Sequence, residues 1–214
     1  MSDLPVPILI MLGLLPVWLL WAWVAGELNK GPNENLGVQL AAWVSRTYLR
    51  HFHRAEYLGS EHVPQTRDPG PLIVVANHTA GIDPLLVQAL CPFFVRWMMS
   101  EDMQLPAAGW FWRMVEVIGV DRGGHEVAAA RVAIRHLKDG GVVGIFPEGA
   151  LERPPHTVMK FAAGVGLIVR KSGARVLPVV IDGTPQVDPA WASLWRRSKR
   201  ATVTGMPIID YSDS

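Results

Sequence analysis

One short segment, Asn77-His78-Thr79-Ala80-Gly81-Ile82-Asp83, carries the residue types best suited to acid–base chemistry. It lies between a predicted buried strand and a predicted helix, which is where α/β proteins place their ligands. The neutral imidazole of His78 can accept a proton near pH 7, and a carboxylate on its other ring nitrogen fixes the tautomer. Gly81 allows a turn tight enough for Asp83 to reach His78. The same spacing also fits a polar turn followed by a plain Asp-Pro helix cap.

The sequence offers no clear protein nucleophile to accompany this histidine. Its single cysteine, Cys91, lies in the apolar run Ala-Leu-Cys-Pro-Phe-Phe, which predicts a small buried residue. A single cysteine excludes a disulfide framework and a cysteine-rich zinc site. His51, His53 and His62 lack the carboxylate or cysteine spacing of a metal site, so no metal is predicted. A base without a protein nucleophile indicates that the substrate supplies the attacking group, for example a hydroxyl.

Three further clusters follow or form predicted strands. Arg122 stands beside two glycines at the end of a short strand, and a guanidinium suits phosphate or carboxylate groups. In Phe146-Pro147-Glu148-Gly149 the glutamate could orient a loop or a hydroxyl. The run Val176–Val180 could line an apolar groove. Taken singly none is specific, because a surface ion pair, a Pro-Gly turn and core packing explain them as well.

The body of the chain alternates strands and helices, which predicts a layered α/β domain. The run Leu72–Ala76 (LIVVA) is continuous and rich in β-branched residues, as in a buried parallel strand. Further strands are predicted at Phe94–Met98, Val117–Val120, Val142–Phe146, Val176–Ile181 and Ala201–Thr204. Helices are predicted at Asp83–Leu90, Pro106–Met114, Gly124–Lys138 and Phe161–Lys171. Pro178 inside a strand indicates an edge strand or a strand end.

The composition limits the class of protein. The 214 residues include 20 Lys plus Arg against 19 Asp plus Glu, a net charge of +1, and 50% are hydrophobic. This balance excludes a disordered chain and argues against a nucleic-acid partner. The length predicts one domain with an appendage, which we place at 1–35 (membrane anchor and linker) and 36–214 (the domain itself).

The N-terminal stretch Leu4–Gly26 contains no charged residue. At about 1.5 Å per residue, a continuous helix of this length would just cover a hydrocarbon core of roughly 30 Å. Trp18, Trp21 and Trp23 gather at its far end, as tryptophans do at membrane interfaces. Pro16 favours a kink. We therefore predict membrane attachment, either through a spanning helix or through an interfacial anchor.

A second helix is predicted from Val38 to His53. Its apolar stripe is formed by Leu40, Val44, Tyr48 and Phe52, and a basic stripe by Arg46, Arg50 and Arg54. Such a pair of stripes suits anionic headgroups, and it also suits an ordinary surface helix packed on a core. Because these basic residues follow the N-terminal stretch, the positive-inside rule predicts that the domain lies on the cytoplasmic face.

A basic run near the C-terminus is a second candidate for contact with headgroups. Arg196–Arg200 contains four basic residues and follows Trp191 and Trp195. Near an anionic surface each such charge contributes about 1 kcal/mol. A solvated run of charges is the alternative.

Taken in order along the chain, the motifs resemble those of the lysophospholipid and 1-acylglycerol-3-phosphate acyltransferase family. Asn77-His78 with Asp83-Pro84 matches the first sequence block of that family, and Phe146-Pro147-Glu148-Gly149 matches the third. Arg122 matches the arginine of the second block, and Pro178 matches the proline of the fourth. The resemblance covers roughly residues 57–207, and the N-terminal segment is similar to the family's usual membrane anchor.

The resemblance implies a glycerol-phosphate-acyltransferase-like α/β domain with a mixed, mostly parallel sheet. It implies that His78 deprotonates an acceptor hydroxyl while Asp83 orients the imidazole. The oxygen then attacks the thioester of acyl-CoA or acyl-carrier protein. These donors and membrane lipids are the expected partners, and no cofactor is expected. The residues implied to bind substrate are Asn77, Arg122, Pro147, Glu148, Gly149 and Pro178, the last near the acyl donor.

Two departures from the family's pattern leave the acceptor open. Members that use phosphate acceptors often continue the third block as Gly-Thr-Arg-Ser, whereas here Gly149 is followed by Ala-Leu-Glu-Arg. A basic residue often follows the downstream Phe, but Ala162 follows Phe161. Leucine cannot make the bidentate phosphate contact of arginine. The acceptor is therefore either 1-acylglycerol-3-phosphate, with Arg153 or Lys160 compensating, or another lyso-lipid such as a lyso-ornithine lipid.

Two other functions remain open at this stage. The chain could be a non-catalytic lipid-binding protein of the same fold, although such a protein has no need of a base. It could also be a hydrolase in which water replaces the acceptor lipid.

Overall fold

The computed structural model describes residues 6–28, 31–121, 126–154, 157 and 159–212. Within them the strands are β1 (Glu56–Leu58), β2 (Leu72–Ala76), β3 (Arg96–Ser100), β4 (Ile118–Val120), β5 (Val142–Ile145), β6 (Arg175–Asp182) and β7 (Thr202–Gly205). The α-helices are α1 (Val6–Leu28), α2 (Leu36–Phe52), α3 (Asp83–Leu90), α4 (Gly109–Met114), α5 (Glu126–Lys138) and α6 (Ala163–Ser172). Strands and helices alternate from β2 to β6, as the sequence predicts.

The strands form one sheet in the order β1-β7-β6-β2-β5-β3-β4. Neighbouring strands are parallel except β6 and β7, which pair antiparallel. Each parallel step from β2 to β6 needs a crossover, and α3, α4, α5 and α6 supply them. The prediction of a mixed, mostly parallel α/β sheet is therefore confirmed.

Both faces of the central strands are buried, which explains their uninterrupted apolar sequences. On one face Val74 and Leu177 pack with Leu86 of α3. On the other face Ile73 and Val143 pack with Leu137 of α5. The predicted burial of Cys91 is confirmed, since it belongs to the first of these cores. Burial raises the pKa of its thiol to about 12, so no reactive thiolate is available there.

Pro178 lies in an interior strand, so the predicted edge position is wrong. Strand β6 is paired with β2 on one side and with β7 on the other. The Pro178 carbonyl accepts a hydrogen bond from the Met206 amide at 2.9 Å, just beyond Gly205, where β7 ends. The missing amide hydrogen faces this same side, because both main-chain groups of a strand residue point to one neighbour. The proline is tolerated because it lies beyond the last residue of the neighbouring strand β7, although it is in the middle of its own strand β6.

Helix α1 begins and ends close to the predicted N-terminal segment and runs through Pro16. None of the helices, within the described residues, combines the length and the apolar character that crossing a membrane requires. The predicted spanning helix is therefore not supported.

Helix α2 is confirmed, but its buried face is not the predicted apolar stripe. Val38, Ala42 and Leu49 face the interior, whereas Leu40 and Val44 are about half exposed. The Asn35 side chain caps the helix by accepting from the amides of the next turn. The first half of the apolar stripe, Leu40 and Val44, is therefore left on the surface, whereas Tyr48 packs against the core.

A hydrogen-bond chain joins the end of α2 to the basic run of the C-terminal part. His53 is fully buried, with Nδ1 2.8 Å from the Ser198 hydroxyl and Nε2 3.0 Å from the Tyr48 hydroxyl. The Tyr48 hydroxyl in turn donates to the Leu194 carbonyl. Burial lowers the pKa of His53, which favours the neutral ring in this chain. The C-terminal half of α2 and residues 194–198 therefore form one surface.

Candidate active site

His78 and Asp83 lie in contact at the carboxyl end of β2. The imidazole Nδ1 is 3.0 Å from Oδ2 of Asp83. The Asp83 side chain is fully buried, while 20% of the His78 side chain remains exposed. A carboxylate at Nδ1 holds the proton on that nitrogen and leaves Nε2 free to accept one. The pair can therefore act as a general base with its orienting carboxylate.

Asp83 faces the preceding turn rather than capping α3. Its Oδ2 accepts from the main-chain amides of Thr79 at 2.6 Å and Ala80 at 2.8 Å. Its Oδ1 accepts from the Thr79 hydroxyl at 3.1 Å. The N-cap position belongs to Ile82, which makes no side-chain cap. The alternative of a plain Asp-Pro cap is therefore wrong, because the carboxylate bonds to the histidine turn, residues 78–80, that precedes it.

A stack of aromatic rings supports one face of the imidazole. Phe146 lies 4.0 Å from the His78 ring, centroid to centroid and nearly parallel, and Trp97 lies 4.7 Å from Phe146 in the same way. Trp97 is paired with Gly144 across β3 and β5. A Cβ at Gly144 would stand 2.6 Å from the indole, so only glycine lets this ring lie against the strand. Sequence analysis did not assign Trp97 or Gly144 to the site.

Asn77 joins two strand ends. Its side-chain amide donates to the Ile181 carbonyl at 2.9 Å and accepts from the Ile181 amide at 2.8 Å. These bonds fix the end of β2 against β6 just before His78. The structure thus gives Asn77 a positioning contact, while its predicted contact with substrate stays a prediction.

Gly81 is required for a different reason from the one predicted. A Cβ there would stand 2.6 Å from the main-chain oxygen of Ala190, in the short 3-10 segment Ala190–Leu194. The close approach of two backbones, rather than an unusual turn conformation, selects glycine at this position.

The third predicted motif, Phe146 to Gly149, lies against the histidine turn. Glu152, three residues beyond Gly149, donates its main-chain amide to the His78 carbonyl at 2.7 Å. Glu148 is buried, and burial raises the pKa of its carboxyl above the ordinary value. The nearby Glu152 carboxyl raises the pKa of Glu148 further, and His78 lowers it. The two glutamates and the histidine therefore form one electrostatic cluster, of which the sequence analysis had assigned only Glu148 and His78.

Of the remaining predicted site residues, the structure locates Pro147, Gly149 and Pro178. The Pro147 carbonyl accepts from the Ala162 amide at 2.8 Å, and the Gly149 amide donates to the Phe146 carbonyl at 3.0 Å. These bonds fold the turn 146–149 beside the His78–Asp83 dyad. Pro178 pairs with Val75, one residue before the last of β2, and so lies below the histidine turn in the sheet. Arg122 lies outside the described residues. The binding roles of these residues stay predictions.

A cleft of about 360 Å³ opens beside Thr79 of the histidine turn. Its lining includes Thr79, the loop 182–186 and the basic run at 197–200. The Thr79 hydroxyl is 2.5 Å from that of Thr184 and also reaches Asp83, so a hydrogen-bond chain connects cleft and dyad. Within the described part of the chain, no group of three or more His, Cys, Asp or Glu side chains is arranged to hold a metal ion.

The sequence pattern of a known family matches this arrangement. The acyltransferase family matches residues 54–182, which run from β1 through the histidine turn to the end of β6. The chain belongs to the acyltransferase family. The acyltransferase resemblance predicted from the four motifs is thereby confirmed.

Individual acyltransferase relatives agree with this assignment. The chain is 33% identical over 130 residues to 1-acyl-sn-glycerol-3-phosphate acyltransferase of Borreliella burgdorferi, covering 59% of this chain and 50% of the relative. It is 28% identical over 151 residues to N-acylphosphatidylethanolamine synthase of Arabidopsis thaliana, covering 64% and 52%. The chain thus spans about half the length of these curated relatives.

A solved structure of an acyltransferase shares the fold. The crystal structure of the 1-acyl-sn-glycerophosphate acyltransferase PlsC from Thermotoga maritima aligns with a TM-score of 0.59. The alignment covers 80% of this chain and 71% of the other, at 23% sequence identity.

Proposed function

We propose that this protein transfers a fatty acyl group from a thioester to the hydroxyl of a lyso-lipid at a membrane surface. The observation that carries the proposal is the His78–Asp83 hydrogen bond at the carboxyl end of β2. Membership of the acyltransferase family supports the same class of reaction. The absence of any nearby thiol nucleophile favours direct attack by the acceptor, since the single cysteine is buried away in the core.

The proposed step needs only groups that the dyad and the two substrates provide. Nε2 of His78 takes the proton of the acceptor hydroxyl while the oxygen attacks the thioester carbonyl carbon. A C–O ester bond forms, the C–S bond breaks, and the thiolate leaves. The imidazolium then gives its proton to the thiolate, so the products are an ester and a free thiol. Asp83 stabilises the transient positive charge on the ring.

We propose acyl-CoA or acyl-carrier protein as the acyl donor. Both carriers bear phosphate close to the arm that holds the thioester. The cleft beside Thr79 presents Arg197 and Lys199, whose charges suit phosphate. The hydrogen-bond chain from Thr184 through Thr79 to Asp83 supports a donor position on this side of the dyad.

The acceptor has two candidates. The names of several relatives specify 1-acyl-sn-glycerol-3-phosphate, and the match to this family supports that acceptor. Arg153, one of the two residues that could replace the missing phosphate ligand, has its guanidinium on the Asp188 carboxylate and the Glu152 carbonyl. This observation favours the second candidate, a lyso-lipid without a terminal phosphate.

Association with a membrane surface is proposed from exposed apolar and basic groups. The exposed apolar side chains of α1 and α2 include Leu14, Leu15, Val17, Trp18, Leu19, Leu20, Trp21, Trp23, Leu36, Leu40 and Val44. Trp195 is 82% exposed and follows the segment that Tyr48 of α2 contacts. Exposed apolar groups on the helix that carries Arg50, and at Trp195 beside Arg196, are typical of an interfacial contact with anionic lipid. Placement on the cytoplasmic face stays a prediction from the basic residues after α1.

An acyl-transfer assay with the purified chain tests the reaction. We expect labelled acyl-CoA or acyl-carrier protein to yield a diacylated product when a pool of lyso-lipids is supplied. Binding of lyso-lipid without product from either donor would indicate the non-catalytic lipid-binding alternative. Release of free fatty acid in the absence of acceptor would instead indicate the hydrolase.

Flotation with lipid vesicles tests the membrane contact. We expect the chain to float with vesicles containing about one third anionic phospholipid. The R50E/R196E variant should bind at least about 30-fold more weakly, since each basic residue contributes about 1 kcal/mol and the loss of two removes about 2 kcal/mol. The matched control is R131E/R135E on α5, which packs on the opposite face of the sheet. Equal loss in both variants would contradict the proposed contact surface.

A further inference from the structure

The buried histidine at the end of α2 takes no part in the proposed reaction, yet both of its ring nitrogens are hydrogen-bonded. The Tyr48 hydroxyl gives its one proton to the Leu194 carbonyl, so Nε2 of His53 must donate to the Tyr48 oxygen. Nδ1 of the neutral ring is then an acceptor, and the Ser198 hydroxyl donates to it at 2.8 Å. One tautomer of a fully buried ring thus holds the segment 194–198 at two points.

The main chain of His53 holds the basic run at a third point. Its carbonyl accepts a hydrogen bond from the Ala201 amide at 3.3 Å. Ser198 is only 4% exposed, whereas its neighbours Arg197 and Lys199 are exposed and line the cleft in which we place the acyl donor. The serine therefore faces the interior and the histidine, and its two basic neighbours face the cleft.

The opposite wall of this cleft is the loop 182–186, and the two walls touch at their backbones. Gly183 has a φ of +73°, and a Cβ there would overlap the main-chain oxygen of Arg200, so glycine is required for this approach. Thr184 on the same loop begins the hydrogen-bond chain that leads through Thr79 to the dyad. Because this wall is bonded to the dyad, the distance from the dyad to the cations of the other wall depends on where the basic run is held.

We propose that His53 is a positioning residue for the acyl donor and acts through the Ser198 hydroxyl. The bond between them keeps Arg197 and Lys199 at the wall of the cleft, where they meet the phosphate of the donor. The inference rests on the proposed acyl transfer and on the donor position in this cleft. The strength of a charge-assisted hydrogen bond to phosphate depends on distance and angle, so a displaced run binds the donor more weakly. The chemical step at His78 is not affected.

Two substitutions of His53 separate its two ring bonds. In H53N the side-chain oxygen takes the place of Nδ1 and can still accept from Ser198. In H53Q the amide nitrogen takes the place of Nε2 and can still donate to Tyr48. We expect the KM for acyl-CoA to rise about 3- to 10-fold in H53Q and in S198A, the range of one lost neutral hydrogen bond, and to stay close to native in H53N. The H53Q/S198A variant should show no further rise, because both changes remove the same bond.

Three controls separate donor binding from folding. In all of these variants kcat and the KM for the lyso-lipid should stay close to native, whereas partial unfolding would lower the apparent kcat and leave KM unchanged. A short acyl thioester of N-acetylcysteamine carries no phosphate, so S198A and the native chain should use it equally well. The S172A variant removes a serine hydroxyl that donates to the Ile168 carbonyl at the end of α6, on the other face of the sheet, and should keep the native KM for acyl-CoA.

Binding of CoA, measured by calorimetry, separates this inference from the proposed reaction. In the H78A background, which lacks the base, we expect S198A to weaken CoA binding by the same factor as it raises KM. Weaker CoA binding in S198A and H53Q, without acyl transfer by the native chain, would overturn the proposed reaction and leave the inference standing. Acyl transfer with an unchanged KM for acyl-CoA in S198A and H53Q, or with an equal rise for the phosphate-free thioester, would overturn the inference and leave acyl transfer standing.

Discussion

Replacing His78 by alanine is expected to lower the rate of acyl transfer by about 10²–10⁴-fold, the usual contribution of a general base. The loss should fall on kcat, because the imidazole acts on the hydroxyl proton during the chemical step rather than on the headgroup. Single-turnover transfer of a labelled acyl chain to a lyso-lipid measures this effect directly. The affinity of the variant for the lyso-lipid, measured by equilibrium dialysis, should change little.

The control for this variant is H62A, since His62 lies in the short 3-10 helix Ser60–His62 and its ring is 3.9 Å from the exposed carboxylate of Glu61. Undiminished transfer in H78A would refute the proposed base. A loss in H62A as large as in H78A would show that the assay reports folding rather than catalysis.

Replacing Asp83 is expected to affect both catalysis and stability, and two variants separate the effects. In D83N the amide keeps the shape of the side chain but no longer stabilises the imidazolium, so we expect transfer to fall by about 10²-fold or more. In D83A the buried amides of Thr79 and Ala80 lose their acceptor. Each unsatisfied buried donor costs about 1–3 kcal/mol of unfolding free energy. Urea unfolding should therefore show a clearly lower midpoint for D83A.

The comparison between the two Asp83 variants decides how the carboxylate acts. Stability close to native in D83N together with a large loss of kcat would support orientation of the base. Native activity in D83N would contradict that role and leave Asp83 a purely structural residue. Asp188, a surface carboxylate that pairs with Arg153, provides the matched control as D188N.

The central strands and the histidine turn could be predicted from sequence because their signals are local. Leu72–Ala76 is apolar throughout since both of its faces are buried, and Asp83 with Pro84 marks where the next helix begins. Strand β1 was missed because it has three residues of mixed character and pairs only with β7, more than 140 positions away. The position of the Pro178 strand was predicted wrongly, because a proline is tolerated wherever the neighbouring strand has already ended, and the sequence does not show where that is.

The contacts of the candidate site could be predicted only where one short segment supplies both of the interacting side chains. His78 and Asp83 lie five residues apart, so a single turn brings them together. The Trp97–Phe146–His78 stack depends on the register of β3 against β5, and no local pattern encodes that register. The same holds for the bond between Asn77 and Ile181, which joins residues 104 positions apart. Glu152 carried a local signal, as an acid where phosphate-using members have none, but its burial became visible only in the fold.

The aromatic support of His78 also has a consequence for successive turnovers. A ring held by Asp83 at Nδ1 and covered by Phe146 on one face cannot turn over without breaking both contacts. The nitrogen that collects a proton must therefore be the nitrogen that releases it. In the proposed reaction the departing sulfur is the group that needs this proton. The site would then reset itself within each cycle, with no exchange of protons with bulk solvent.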